Sequence, residues 1–160
     1  MSWIPVVATA LGAVIGLGAG LLIDQVRSRR EDTQKWLAAR RDAYVSYLSS
    51  LHDANEAMRA VSLGEYSPDL TRSAAARAAF RDAGLTQARE QIILLAPEAV
   101  IIAADEAFRS LRALRDRIGQ GEGLADYEPV LSDYAGRLQA LRDAVRRDLG
   151  VQGSSPQIPL

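Results

Sequence analysis

The 160-residue chain contains no cysteine, a single histidine and almost no net charge. The absence of cysteine excludes disulfides, thiolate metal sites and a cysteine nucleophile. Because His52 is the sole histidine, no multi-histidine metal centre can form within one chain. The 19 basic and 20 acidic side chains leave a formal charge of −1. The positive field typical of nucleic-acid-binding proteins is therefore absent, and we expect no nucleic-acid partner.

The remaining polar residues form no pattern that predicts catalysis. The sequence has neither a P-loop nor a nucleophile elbow. Asp105 and Glu106 are adjacent in sequence and therefore point in different directions, which makes them a poor general acid and base. His52 and Glu56, four residues apart on one helix face, are expected to form a surface ion pair rather than a metal site. We expect no enzyme activity, no cofactor and no bound metal, with an enzyme of unrecognised site as an alternative.

Charge is also missing from residues 3–23, WIPVVATALGAVIGLGAGLLI. A helix of this length spans roughly 32 Å, about the thickness of the hydrocarbon core of a bilayer. A signal peptide would carry basic residues before a shorter apolar run, and the core helix of a soluble protein rarely stays uncharged for so long. The segment therefore predicts a single transmembrane helix.

Basic residues follow this segment but do not precede it. Arg27, Arg29, Arg30 and Lys35 lie on its C-terminal side. The positive-inside rule then places the N-terminus outside the cell membrane and the remainder of the chain in the cytoplasm. The same side chains are placed to contact anionic headgroups of the bilayer, although topology alone explains them.

Small residues occupy one face of the predicted transmembrane helix. At about 100° per residue, Ala8, Gly12, Gly16 and Gly20 form a continuous ladder, whereas nearly all the bulky aliphatic residues lie on the other side. Such a small-xxx-small face lets another helix approach closely. We expect it to pack against a second transmembrane helix, from either another copy of the chain or a larger membrane complex.

The sequence divides into four parts. We predict a transmembrane anchor over 1–23, a polar juxtamembrane stalk over 24–35, a cytoplasmic helical bundle over 36–150 and a disordered tail over 151–160. Neither proline nor glycine occurs between Leu21 and Leu63, so the membrane helix can continue into the bundle.

Apolar residues recur at helical spacing along the cytoplasmic part. They predict a first helix up to Leu63, a second over 68–95 with Ser67 as its N-cap, a third after Pro97 and a fourth over 125–149. Short connections between four amphipathic helices favour an all-α, antiparallel four-helix bundle. The residues expected to face its core are Leu37, Tyr44, Leu48, Leu51, Met58 and Val61, then Ala78, Leu85, Ala88, Ile92 and Leu95, then Val100, Ala104, Ala107, Leu111, Leu114 and Ile118, and finally Tyr127, Leu131, Tyr134, Leu138, Leu141 and Val145.

Two segments carry a resemblance to other proteins. RRDAYVSYL at 40–48 and IILLAPEAV at 92–100 resemble segments of uncharacterised small bacterial, actinobacterial-type single-pass membrane proteins. The resemblance implies a helical cytoplasmic domain, and the group offers no established activity.

These features together predict a membrane-anchored interaction or accessory protein. Its transmembrane face would pack against a partner helix, and its bundle would offer a cytoplasmic docking surface. A membrane-active pore or lysis protein is the alternative that uses the same glycine-rich helix.

Overall fold

The computed structural model describes residues 34–151, apart from the side chains of Leu124 and Ala125. The predicted anchor, most of the predicted stalk and residues 152–160 of the predicted tail lie outside the described residues. Between residues 34 and 151, no helix is both long enough and apolar enough to cross a membrane.

Every regular element between residues 34 and 151 is helical, which confirms the all-α class. The chain separates into two units, 1–39 and 40–160. In the first unit only residues 34–39 are described, and they are helical. The helices are α1 (residues 34–62), α2 (Arg72–Asp82), α3 (Leu85–Leu95), α4 (Glu98–Gly119) and α5 (Leu124–Asp148).

Helices α4 and α5 form an antiparallel pair. The Ser110 hydroxyl donates to the Asp133 carboxylate at 2.6 Å, and one turn earlier on α4 Glu106 accepts from Arg137 at 3.0 Å. Residue numbers therefore fall along α5 as they rise along α4. Helices α1 and α5 are also antiparallel, because Tyr44 contacts Asp148 whereas Leu51, further along α1, contacts Tyr134.

The second predicted helix is in fact two helices, α2 and α3, which are separated by Ala83 and Gly84. Gly84 adopts φ +69°, a left-handed conformation that glycine reaches without the steric cost of a Cβ. The prediction of one uninterrupted helix was wrong because an isolated glycine is often tolerated inside a helix. The predicted N-cap was also wrong, since the Thr71 hydroxyl accepts from the Ala74 amide and Ser67 lies in the preceding turn.

The helices enclose one hydrophobic core within residues 40–151. All six predicted core residues of α4 are buried, and so are five of the six in α5. The break at Gly84 shifts the phase of the second stripe, so that Ala75, Ala76 and Phe80 are buried in α2 rather than Ala78. Leu37 is 44 % exposed, and the buried stripe of α1 begins at Ala43. A helical bundle is therefore confirmed.

Three tyrosines join the helices through their hydroxyls. Tyr47 of α1 donates to the carbonyl of Ala104 at 2.9 Å, and Tyr134 of α5 donates to the carbonyl of Leu51 at 3.3 Å. Burial raises the pKa of Tyr44, Tyr47 and Tyr134 above the ordinary value of 10.0, because the phenolate would lose its hydration. Tyr44 and Tyr134, which the sequence predicts to face the core, are buried, and Tyr47 is buried with them.

Candidate functional site

Most residues predicted to form sites lie outside the described part of the chain. Ala8, Gly12, Gly16 and Gly20 of the transmembrane face do so, as do Arg27, Arg29 and Arg30 of the juxtamembrane group. The fourth basic residue, Lys35, is helical and exposed.

The candidate metal ligands of α1 all lie on the protein surface. His52, Asp53 and Glu56 are exposed. No group of three or more His, Asp or Glu side chains in the described part is arranged to hold a metal ion.

Several charged side chains of α4 form ion pairs. Asp105 accepts from Arg89 of α3 at 2.7 Å and also pairs with Arg109. The hydrogen bond from Arg89 is the main reason that the pKa of Asp105 is lowered from 3.8. Arg89 also lies over the ring of Phe108, with its Cζ atom 5.2 Å from the ring centroid. Asp105 therefore attaches α3 to α4, and the neighbouring Glu106 pairs separately with Arg137 of α5.

The hydroxyl–carboxylate contact that most resembles a catalytic pair joins the buried Ser110 to the exposed Asp133. The hydrogen bond from Ser110 is the main cause that lowers the pKa of Asp133. A carboxylate with a lowered pKa is a weak general base, so Asp133 is poorly suited to activate the hydroxyl. The contact is better suited to holding α4 against α5.

One long-range charge cluster was missed at the sequence level. Asp148 follows Arg146 and Arg147 in the sequence, but it pairs with Arg40 of α1 at 3.2 Å and accepts from the Tyr44 hydroxyl. Arg40 also donates to the carbonyl of Leu95 at 2.9 Å, at the end of α3. This cluster joins three helices at one end of the bundle, and only the folded topology brings its members together.

A cavity of about 490 Å³ lies at the opposite end of the bundle. The C-terminal ends of α1 and α4 and the N-terminal parts of α2 and α5 supply its walls. The apolar part of the lining consists of Leu63, Leu114, Ile118, Tyr127 and Leu131. Pockets of this size class bind small molecules in many proteins, so this cavity is the candidate functional site.

Polar and charged side chains complete the lining. Arg59 is exposed and makes no side-chain hydrogen bond or ion pair within the described residues, whereas Arg72 donates to the carbonyl of Ser62 at 3.3 Å. Glu122 pairs through Oε1 with Arg117 at 2.8 Å, and its Oε2 is buried without a hydrogen-bond partner in the described part. Asn55 is 6 % exposed. The cavity lining thus combines apolar side chains with the guanidinium groups of Arg59 and Arg72, whereas the Oε2 atom of Glu122 is enclosed by protein atoms.

Only part of the lining of this cavity could be predicted from the sequence. Leu114, Ile118, Tyr127 and Leu131 belong to predicted core stripes, but the charged residues come from a helix end, a cap region and the GQGEG turn over 119–123. Such residues have no periodicity that would connect them before the helices are placed.

Comparisons of the chain with protein-family models, with curated proteins and with solved structures find no match. The resemblance of residues 40–48 and 92–100 to small bacterial membrane proteins therefore stays a prediction.

Proposed function

We propose that the protein is a single-pass membrane protein that acts through interaction rather than catalysis. The observation that carries the proposal is the uncharged segment 3–23, which is long enough to span a bilayer and sorts its small residues onto one face. In this proposal the anchor continues into the helical bundle, which lies in the cytoplasm as an accessory or scaffolding domain.

The chemistry of the bundle supports interaction over catalysis. The partly buried Asp105 and Asp148 and the exposed Asp133 each accept a hydrogen bond from a side chain of a neighbouring helix. These contacts lower the reactivity of the groups that an enzyme would use and give them a role in holding the helices together.

The first experiment tests the anchor and identifies its partner. Full-length tagged protein is purified from its native membranes in mild detergent, and the proteins that co-purify are quantified. A foreign membrane protein in fixed ratio would support an accessory subunit, and a defined oligomer of this chain alone would support a self-assembling scaffold. Recovery of the protein in the soluble fraction would contradict the proposal.

A matched pair of substitutions tests the small-residue face. Gly16→Ile places a bulky side chain on the face and should dissociate the complex, because the helices can no longer approach closely. Leu17→Ile alters the opposite face at almost constant volume and should leave association intact. Equal effects from the two substitutions would contradict packing through Ala8, Gly12, Gly16 and Gly20.

Liposome leakage distinguishes the alternative of a membrane-active pore. An accessory protein should leave reconstituted vesicles sealed, whereas release of an entrapped dye in proportion to protein would support the pore.

A further inference from the structure

We propose that one end of the bundle docks onto the surface of the lipid bilayer through a patch of exposed apolar side chains. The patch, called the end patch, consists of Ile93, Leu94, Ile102 and Val151. The inference rests on the proposed membrane anchor and adds a second contact with the bilayer, which the folded domain makes.

The end patch lies where the chain enters the bundle. Arg40, the first residue of the unit 40–160, binds the carbonyl of Leu95 and the carboxylate of Asp148. These contacts bring the C-terminal ends of α3 and α5 to the start of the bundle part of α1. Two residues of the end patch belong to the last turn of α3, one follows α5, and the fourth lies in the second turn of α4, which begins just after α3 ends.

The side chains of the end patch are exposed although they are apolar. Leu94 is 76 % exposed and Ile102 is 53 % exposed, whereas the core takes the neighbouring Ile92 and Val100. Removing such side chains from water is favourable, and exposed apolar residues that lie together indicate an interaction surface.

The charges near the end patch do not oppose contact with a bilayer. Arg40 and Asp148 neutralise each other as an ion pair. The exposed Glu98 and the exposed Arg147 have opposite signs. Docking should therefore depend on the apolar side chains rather than on anionic lipid, and a bilayer of phosphatidylcholine should be sufficient.

The connection to the predicted anchor favours the bilayer as the partner of the end patch. Residues 24–39 link the anchor to Arg40, and a helix of this length spans only roughly 24 Å. A link of this kind makes the contact intramolecular and raises the effective concentration of the surface, so that a few side chains suffice. Within the link, Trp36 and Leu37 are exposed, and tryptophan is enriched at membrane interfaces.

Spin labelling of the full-length protein in phosphatidylcholine nanodiscs tests the proposal. Because the chain contains no cysteine, each single-cysteine variant carries one nitroxide label. Electron paramagnetic resonance then measures collisions of the label with oxygen, which concentrates in lipid, and with a nickel chelate, which stays in water. The matched control for Leu94→Cys is Leu63→Cys, a 69 % exposed position beside the cavity at the opposite end of the bundle.

We expect the ratio of oxygen to nickel collisions to be at least about threefold higher at Leu94→Cys than at Leu63→Cys, since docked apolar side chains lie about 5–10 Å into the boundary between headgroups and acyl chains. A label at Ile102→Cys should give the same result. Adding Leu94→Glu should lower the ratio at Ile102→Cys to that at Leu63→Cys, because a carboxylate resists transfer into this layer. Adding Leu63→Glu instead should leave the ratio at Ile102→Cys unchanged.

Two results would overturn the docking of the end patch. Equal ratios at Leu94→Cys and Leu63→Cys would show that the patch stays in water. A label at Leu94→Cys that neither probe reaches would show that protein, rather than lipid, covers the patch.

A label at Leu17→Cys, on the bulky face of the predicted anchor, separates this failure from failure of the proposed function. If oxygen reaches Leu17→Cys while Leu94→Cys is in water, the anchor is correct and the docking is wrong. If the nickel chelate reaches both labels, the anchor is wrong as well.

Discussion

The cluster of Arg40, Tyr44 and Asp148 predicts a large effect from a single substitution near the end of α5. The Asp148 and Arg40 side chains are 13 % and 21 % exposed, so their pair lies between the surface and the interior. Exposed ion pairs contribute about 0–1 kcal/mol, while breaking a buried pair costs about 3–5 kcal/mol. Asp148→Ala also removes the acceptor of the Tyr44 hydroxyl. We expect it to lower the free energy of unfolding by about 2 kcal/mol, the scale of hydrogen bonds to a charged group.

Urea unfolding of the full-length protein, followed by far-UV circular dichroism, measures this effect. The control is Asp53→Ala, which removes an exposed carboxylate of α1 and should change stability by less than about 0.5 kcal/mol. A double-mutant cycle of Arg40→Met with Asp148→Asn should show a coupling energy of about 1 kcal/mol between the two side chains. If Asp148→Ala costs no more than Asp53→Ala, the cluster does not stabilise this end of the bundle.

Three further predictions concern the backbone and pH. Gly84→Ala should destabilise the protein by about 1 kcal/mol, because the φ angle of Gly84 is +69°. Gly136→Ala should stabilise the protein by about 0.5–1 kcal/mol, because Gly136 lies within α5 and an added Cβ would meet open space. Thermal unfolding of the two variants measures both effects. Because burial raises the pKa of Tyr44, Tyr47 and Tyr134, the stability that these neutral side chains contribute is complete below pH 10.0 and should fall as the pH rises above that value. The absorbance of tyrosinate and the loss of helical signal should therefore appear together. Because the pKa of Asp105 is lowered in the folded protein, the ionised Asp105 side chain stabilises the fold above pH 3.8, and this contribution is lost as the pH falls below that value. Asp105→Asn should therefore reduce the loss of stability at acid pH, as measured by urea unfolding.

The sequence predicted the helices that have regular stripes and failed where a local feature interrupted them. The stripe of α4 was correct at every position because its apolar residues recur without a break over 22 residues. The break between α2 and α3 depends on whether Gly84 continues the helix or adopts a left-handed φ, and glycine is able to do either. Thr71 rather than Ser67 became the N-cap for a similar reason, since both residue types cap helices well.

Long-range polar contacts were harder to predict than the core. The periodicity of a helix identifies its buried face, but it does not say which charged residue of another helix lies opposite. Asp148 could be balanced against nearby arginines of α5 in the sequence, yet the bundle brings Arg40 to it from 108 residues away. For Arg89 and Asp105 the separation is only 16 residues, and here too the pairing depends on how α3 packs against α4.

The cavity illustrates how a predicted stripe can conceal a site. Helical spacing identifies which side chains point inward, but it contains no information on how the ends of a bundle are closed. Leu131 fits the stripe of α5 as well as Leu138 or Leu141 does, yet it alone among the six predicted core residues of α5 is only half-buried. Two residues of that stripe, Tyr127 and Leu131, line the cavity, and Tyr127 is buried. Half-buried core positions also occur away from the cavity, at Leu48 and Leu95, so the position of the cavity depends on how the ends of the helices close the bundle and not on the burial of single stripe residues.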